Sequence, residues 1–194
     1  SFGSANPTKT GLLKNDNYVI TVHSPTLAQA FAAEYAFILG QGLTKHTQKW
    51  SLNDRPIEVL FCPRNACESR IVTAIGQANQ SVDLLAFSFT SDAIGSALVA
   101  AHFRGVQVHA VMEPLSANGR GSEFERLLDA GIDVSLADTP GLMHAKALLI
   151  DDSIAIVGSY NPTRNANTRN AETIVITQEP DVVDAVAALH LQLK

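Results

Sequence analysis

Met143-His144-Ala145-Lys146-Ala147-Leu148-Leu149-Ile150-Asp151, followed by Ile154–Val157 and then Gly158-Ser159-Tyr160-Asn161, is the stretch that decides the fold. Two apolar, partly β-branched runs separated by Asp151-Asp152-Ser153 predict two buried strands joined by a short turn. Side chains alternate faces along a strand, so His144 and Lys146 are expected to emerge side by side. A core strand rarely accepts both an imidazole and an ammonium without a use for them. Together they offer a nucleophile next to a fixed positive charge, a pair suited to attacking a phosphodiester without a metal ion. Gly158, Ser159 and Asn161 end the second strand, where backbone and small polar groups can meet the same phosphate.

With every spacing counted, His144, Lys146, Asp151, Gly158, Ser159 and Asn161 resemble the signature of the phospholipase D superfamily, H-x-K-x4-D with its G-S-x-N extension. Glu172, in Asn170-Ala171-Glu172, stands thirteen residues after Ser159. The runs Phe61-x-Pro63, Ala86-Phe87-Ser88-Phe89-Thr90 and Arg104-Gly105-Val106-x-Val108 resemble the small bacterial nucleases of that superfamily. The resemblance implies two motif copies facing each other across a two-fold or pseudo-two-fold axis. One histidine attacks phosphorus to give a phosphohistidine and the other protonates the leaving oxygen; water or an alcohol then completes the reaction. It casts His144 in one of these two roles. Lys146 and Asn161 would hold non-bridging oxygens, Ser159 would add a hydrogen bond, and Glu172 would hold the far nitrogen of His144. Asp151 is expected to bond backbone at the hairpin. The scheme requires no metal and no cofactor.

The chain also repeats itself, which bears on its organisation. In one ungapped register, an offset of 155 residues from Gly3 to Gly158, the residues Gly3, Ser4, Asn6, Pro7, Thr8, Asn15 and Pro25 match Gly158, Ser159, Asn161, Pro162, Thr163, Asn170 and Pro180. Residues 1–39 therefore read as the end of a first motif half, residues 40–55 as a linker, and residues 56–194 as a complete phosphodiesterase half. The chain looks like the C-terminal half of a two-motif protein. Ser4, Asn6 and Asn17 are expected to touch substrate from the other half. Asn17 stands where the second copy has Glu172, and an amide cannot stabilise an imidazolium by charge. The second histidine is expected either from a separate first half or from a homodimer partner.

The 194 residues, 46% of them hydrophobic, suffice for a substantial core, and no apolar run approaches membrane-spanning length. The localisation is left open, since an export signal cannot be judged from this start. A net charge of −5 is unhelpful for a nucleic-acid binder. Lys9, Lys14, Lys146, Arg164 and Arg169 nevertheless gather around the two signature segments. Cys62 and Cys67 read as two small buried side chains or as a disulfide. His23, His46, His102, His109 and His190 lie outside any motif and read as surface or capping residues. Trp50 reads as a packing anchor. Ser88 and Thr90 read as strand-end polar groups or as lining of the site mouth, and Glu113, which ends a strand pointing the same way, reads alike.

Strands are expected near Tyr18–Val22, Ile57–Cys62, Val82–Phe89, Val106–Met112, Ile132–Leu136 and Thr173–Thr177. Helices are expected near 25–39, 66–78, 92–103, 122–130 and from Asp181. This alternation predicts an α/β fold, an α-β-α sandwich around a mixed, largely parallel sheet, as in phospholipase D and its related nucleases. The functional expectation is a metal-independent phosphodiesterase, of nuclease type with nucleic acid as substrate. The alternatives are a phospholipase D or phosphatidyl-transferring enzyme acting on phospholipid, and an inert binding scaffold.

Overall fold

A computed structural model describes residues 1–41 and 48–194. The middle of the expected linker, with His46, lies outside the described residues. Among the described residues, eight strands form one mixed sheet: β3 (Gln48–Leu52), β4 (Arg55–Cys62), β5 (Ser81–Ala86), β6 (Gln107–Met112), β7 (Asp133–Leu136), β8 (Lys146–Ile150), β9 (Ile154–Gly158) and β10 (Glu172–Thr177). Their order is β3-β4-β10-β9-β8-β5-β6-β7. Only β5–β6 and β6–β7 are parallel. The sheet is mixed, as expected, but antiparallel neighbours predominate, a correction to the expectation of a largely parallel one. The reason is local: Asp151-Asp152-Ser153 folds β8 against β9 as a hairpin, and β10 then returns between β9 and β4.

The end of the expected linker is a further correction. Asn53 and Asp54 both adopt left-handed backbone (φ 49° and 62°), and Leu52 pairs with Arg55, so β3 and β4 form a tight two-residue hairpin. Asn and Asp tolerate this conformation better than other non-glycine residues. Trp50, on β3, packs against the core as an anchor.

Helices cover both faces. On one, α3 (Cys67–Gly76), α4 (Asp92–Phe103) and α6 (Phe124–Asp129) present Ile71, Ile75, Ile94, Leu98 and Leu127 to Leu84, Leu148 and Ile156. On the other, α2 (Pro25–Ile38) and α8 (Pro180–Leu193) pack over Val59, Leu149, Val157 and Val175. Neighbouring residues of β8 thus feed opposite cores, which is why that strand reads as a continuous apolar run. Two short helices, α5 (Pro114–Ala117) and α7 (Arg164–Thr168), occupy connections. Cys62 and Cys67 form a disulfide between the end of β4 and the start of α3. No helix among the described residues is long and apolar enough to cross a membrane.

The N-terminal residues form β1 (Phe2–Gly3), α1 (Lys9–Leu13) and β2 (Val19–Ile20), followed by α2. They dock on the sheet: Phe31 stacks on Phe2 and meets Phe61 edge-on at 5.3 Å. Arg64 pairs with Glu34 and lies over the Phe37 ring at 3.7 Å. The bounds recur at the same 155-residue offset: α1 against α7, and α2 against α8. The β1–β2 register, Gly3 opposite Val19, is that of Gly158 opposite Ile174.

Candidate active site

His144 lies two residues before the first residue of β8, in extended chain that the N-terminal segment covers. Asp16 forms a parallel bridge with Met143, donating its N–H to the Leu142 carbonyl and accepting that of His144 at 2.9 Å. This crossing brings the neighbouring Asn17 onto the imidazole. His144 Nδ1 is 2.9 Å from Asn17 Oδ1 and 3.0 Å from the Ser4 carbonyl. Ser4 Oγ donates to Asn17 Oδ1, and Asn17 Nδ2 donates to the Gly11 carbonyl at 2.7 Å. Among the described residues, Nε2 of His144 has no hydrogen-bond partner. Burial, with Lys146 beside it, holds the imidazole below its usual pKa, while the Ser4 carbonyl pulls the other way.

Lys146 opens β8 and is buried. Its Nζ donates to the His144 carbonyl at 2.7 Å and lies 4.9 Å from the centre of the Phe87 ring. The His144 ring is 4.5 Å from the same phenyl group. Both motif side chains therefore share one aromatic neighbour, consistent with a common face. Burial pushes the ammonium down to about 7, opposed by the charge of Glu172. Glu113, also buried, accepts the Met143 N–H at 2.7 Å and so holds the chain just before His144.

Glu172 does not hold His144, a correction to the expected role. Its Oε2 accepts from Ser159 Oγ at 2.5 Å and its Oε1 from Asn170 at 3.1 Å. The reason is the strand crossing: Asn17 arrives beside His144, whereas Glu172 starts β10 on the far side of β9. Glu172 with Ser159 repeats the pairing of Asn17 with Ser4. The hydroxyls of both serines also accept a strand N–H, from Tyr18 and Thr173, each at 3.1 Å. Both glycines preceding these serines sit against backbone. A Cβ on Gly158, whose φ is +153°, would lie 2.0 Å from the Thr173 carbonyl, and one on Gly3 2.3 Å from that of Tyr18.

Asn161 lines a groove with Ser88, Thr90, Thr163, Arg164, Asn165 and Asn170, and Thr90 N–H donates to the Pro162 carbonyl at 2.9 Å. Asn6 occupies the matching place in the N-terminal segment, its carbonyl accepting from Thr8 as that of Asn161 accepts from Thr163. Asp151 stands apart, at the opposite end of β8 from Lys146. It accepts the N–H groups of Asn79, Gln80 and Ser81. Desolvation raises its pKa, but these donors outweigh that and hold it below the usual carboxylate range.

Two contributors leave little trace in the sequence. Phe87 follows Ala86, the residue paired with Lys146, and in the sequence it stands only within the run Ala86–Thr90, with nothing to tie it to the site. Tyr18 stands where the second copy has Thr173; its buried hydroxyl accepts from Gly158 N–H at 2.8 Å and donates to the Lys146 carbonyl. Burial pushes that phenol well above its usual pKa. One histidine outside the motif also departs from the expected surface or capping positions. His190, on the inward face of α8, is buried, and the half-buried His109 pairs through Nδ1 with Asp83 at 2.8 Å in the same cluster.

The family described as "Cardiolipin synthase, PLD-like domain" matches residues 71–192. A phospholipase D of Rickettsia typhi is 28% identical over 166 residues, covering 86% of this chain and 81% of the relative. Human mitochondrial cardiolipin hydrolase is 36% identical over 115 residues, covering 59% of this chain and 46% of its own. Among solved structures, a phospholipase D family member, Nuc from Salmonella typhimurium, is similar with a TM-score of 0.67 and 28% identity, over 71% of this chain and 92% of that one. An imidazole and a buried ammonium sharing one aromatic neighbour, on this sheet order and with these relatives, place the chain in the phospholipase D superfamily, whose members act on phosphodiester bonds.

Proposed function

We propose that the chain is a metal-independent phosphodiesterase of nuclease type, working through a phosphohistidine at a site shared by two motif halves. The observation that carries this reading is His144: its Nδ1 is held by two oxygen acceptors, its Nε2 is free among the described residues, and a buried ammonium shares its aromatic wall. Attack on phosphorus needs a nucleophilic nitrogen and a positive charge at the non-bridging oxygens. Lys146 and Asn161 would supply the second requirement, with Ser159, whose hydroxyl proton goes to Glu172, holding that carboxylate instead of a phosphate oxygen. Asn6 would do the same as Asn161 from the N-terminal segment, whereas Ser4, buried with its hydroxyl proton on Asn17 Oδ1, would hold that amide rather than substrate. The recurrence of bounds, register and hydrogen bonds supports reading residues 1–39 as the end of a first half. The second histidine would come from such a half or from another copy of this chain.

Nucleic acid is favoured as substrate by the rim. Lys9 and Lys14 on and after α1, and Arg164 and Arg169 on and after α7, occupy corresponding positions. All four are exposed and in no ion pair among the described residues, on a chain whose net charge is −5. Unpaired cations on both flanks suit a polymer with a phosphate at every unit. Phospholipid is the second reading, favoured by relatives named phospholipase D and cardiolipin hydrolase.

The test is incubation with labelled single-stranded DNA or with phosphatidylcholine vesicles, in excess chelator, beside a His144→Ala control. Chelator-resistant DNA cleavage that vanishes in the variant is the expected result. Turnover of lipid alone would select the second reading. Binding without turnover, by the protein completed with a second motif half, would leave only an inert scaffold.

A further inference from the structure

Glu68, in the first turn of α3, lies outside the motif and joins the two walls of the groove beside Asn161. Its Oε2 accepts from Asn167 Nδ2 on α7 at 2.7 Å, and its Oε1 from the Ser91 hydroxyl at 2.5 Å. Ser91 directly follows the Ser88–Thr90 wall; it is buried and caps α4 by accepting the Ile94 N–H at 3.2 Å. A helix as short as α7, Arg164–Thr168, does not hold itself in water. Buried Ala166 and the bond from Asn167 to Glu68 anchor it. Glu68 is fixed in turn by the disulfide that ties its neighbour Cys67 to Cys62 on β4. Glu172, opposite Cys62 across β4–β10, grips the two ends of the same loop at Ser159 and Asn170. Burial, and then the charges of Glu68 and Glu172, push the phenol of Tyr160 within that loop above its usual pKa.

The groove encloses about 370 Å3 and continues over Arg164 and Asn165 into a hollow of about 480 Å3 that Thr168 and Arg169 also line. Both have the size of small-ligand sites, roughly 300–1,000 Å3. Among the described residues no aliphatic or aromatic side chain lines either, which suits a polyanion and not an acyl chain. On the other flank, the 155-residue offset puts exposed Leu12 of α1 where α7 has Asn167, and Leu12 cannot bond a carboxylate. We propose that Glu68 is a positioning residue that sets α7 against the Ser88–Thr90 wall and so builds a subsite, on the α7 flank alone, for the nucleotides next to the scissile phosphate. This rests on the nuclease reading above. Glu68 itself, with both oxygens engaged, makes no contact with substrate. Removing a carboxylate near an anion site tightens anion binding by charge alone; lost positioning weakens it, so the two effects have opposite signs.

Fluorescence anisotropy of the full chain with labelled single-stranded deoxyoligonucleotides reads this. The parent should bind an octanucleotide more tightly than a dinucleotide. Glu68→Ala should weaken the octanucleotide about tenfold, the worth of one hydrogen-bonded charged contact, and the dinucleotide less than about twofold. Glu68→Gln, whose amide can still bond Ser91 and Asn167, should bind both at least as tightly as the parent. Asn167→Ala should reproduce the loss, which keeps the test alive if Glu68→Ala does not fold. Octanucleotide affinity that stays or rises in folded Glu68→Ala or Asn167→Ala overturns the proposal. So does an equal loss at both lengths, or a parent that binds the two lengths alike. The expected losses, with no chelator-resistant cleavage by the protein completed with its second half, would sink the nuclease reading and leave the subsite standing. Chelator-resistant DNA cleavage in which Glu68→Ala has the same effect at every length would do the reverse.

Discussion

Tyr18 and Gly158 are joined by a hydrogen bond of 2.8 Å in which the phenol accepts the glycine N–H, and the same phenol donates to the carbonyl of Lys146. One residue of the N-terminal segment thus ties the adjacent ends of β8 and β9, the two strands that carry the motif. Tyr18→Phe keeps the ring and strands both backbone groups in the interior. The expected cost is about 1–3 kcal/mol, or roughly 2–4 °C in Tm for each kcal/mol. Calorimetry checks it; an unchanged Tm would mean the two groups find other partners.

Lys146 makes anion binding depend on pH near neutrality. With its pKa about 7, the ammonium is charged below that value and loses its proton above it. A dinucleotide with a single phosphodiester keeps one charge over this range, so it isolates the lysine. In a His144→Asn background its affinity should fall about tenfold between pH 6 and pH 8, since binding takes up a proton above the midpoint. Lys146→Arg, which stays charged, should flatten the dependence. Titration calorimetry at the two pH values decides it.

Asp151 is expected to stabilise the fold through charge. Its backbone is left-handed (φ 51°), a conformation Asn also tolerates, so Asp151→Asn removes charge and one acceptor oxygen without new strain. Weakening the bonds to Asn79, Gln80 and Ser81 should cost about 1–3 kcal/mol at pH 7. Because the folded pKa is depressed, this contribution is present above the unfolded value of about 4 and is lost as pH falls through the folded one. The Tm difference between the two proteins should therefore shrink on acidification. A constant difference from pH 7 to pH 3 would contradict the charge argument.

The rim cations are expected to show in salt dependence. Arg164→Ala and Arg169→Ala, and likewise Lys9→Ala and Lys14→Ala, should each weaken single-stranded DNA binding. The slope of log affinity against log salt should become shallower by about 0.7 for each phosphate that is no longer neutralised. Fluorescence anisotropy at several salt concentrations measures both. Equal slopes in all four variants and the parent would remove these residues from the substrate path.

The motif was legible because its chemistry is local. His144, Lys146 and Asp151 lie on one strand and its borders, and Gly158 to Asn161 follow directly, so spacing and period-2 alternation suffice. The buried strands were legible for a similar reason: Ala147 to Ile150 serve two cores and so read as a continuous run. The hairpin at Asn53-Asp54 was also local, but the polar strand Gln48–Leu52 hid it, and its signal was the turn rather than hydrophobicity. The partner of His144 was not legible. Asn17 is 127 residues away and arrives through one backbone bridge between Asp16 and Met143, which leaves no mark in any periodicity. Sheet direction suffered likewise, because the place of β10 between β9 and β4 depends on pairings distant in sequence.

That bridge also sets an order of events on the ribosome. Asn17 is synthesised 127 residues before the histidine it clamps, roughly 6–25 s earlier at 5–20 residues per second. Over that interval Phe31 can already meet Phe61 edge-on, but the strands β8 and β9 that Tyr18 ties together do not yet exist. The segment that carries Asn17 therefore completes its contacts late, and the imidazole meets its oxygen acceptors only after Met143 and His144 have been made.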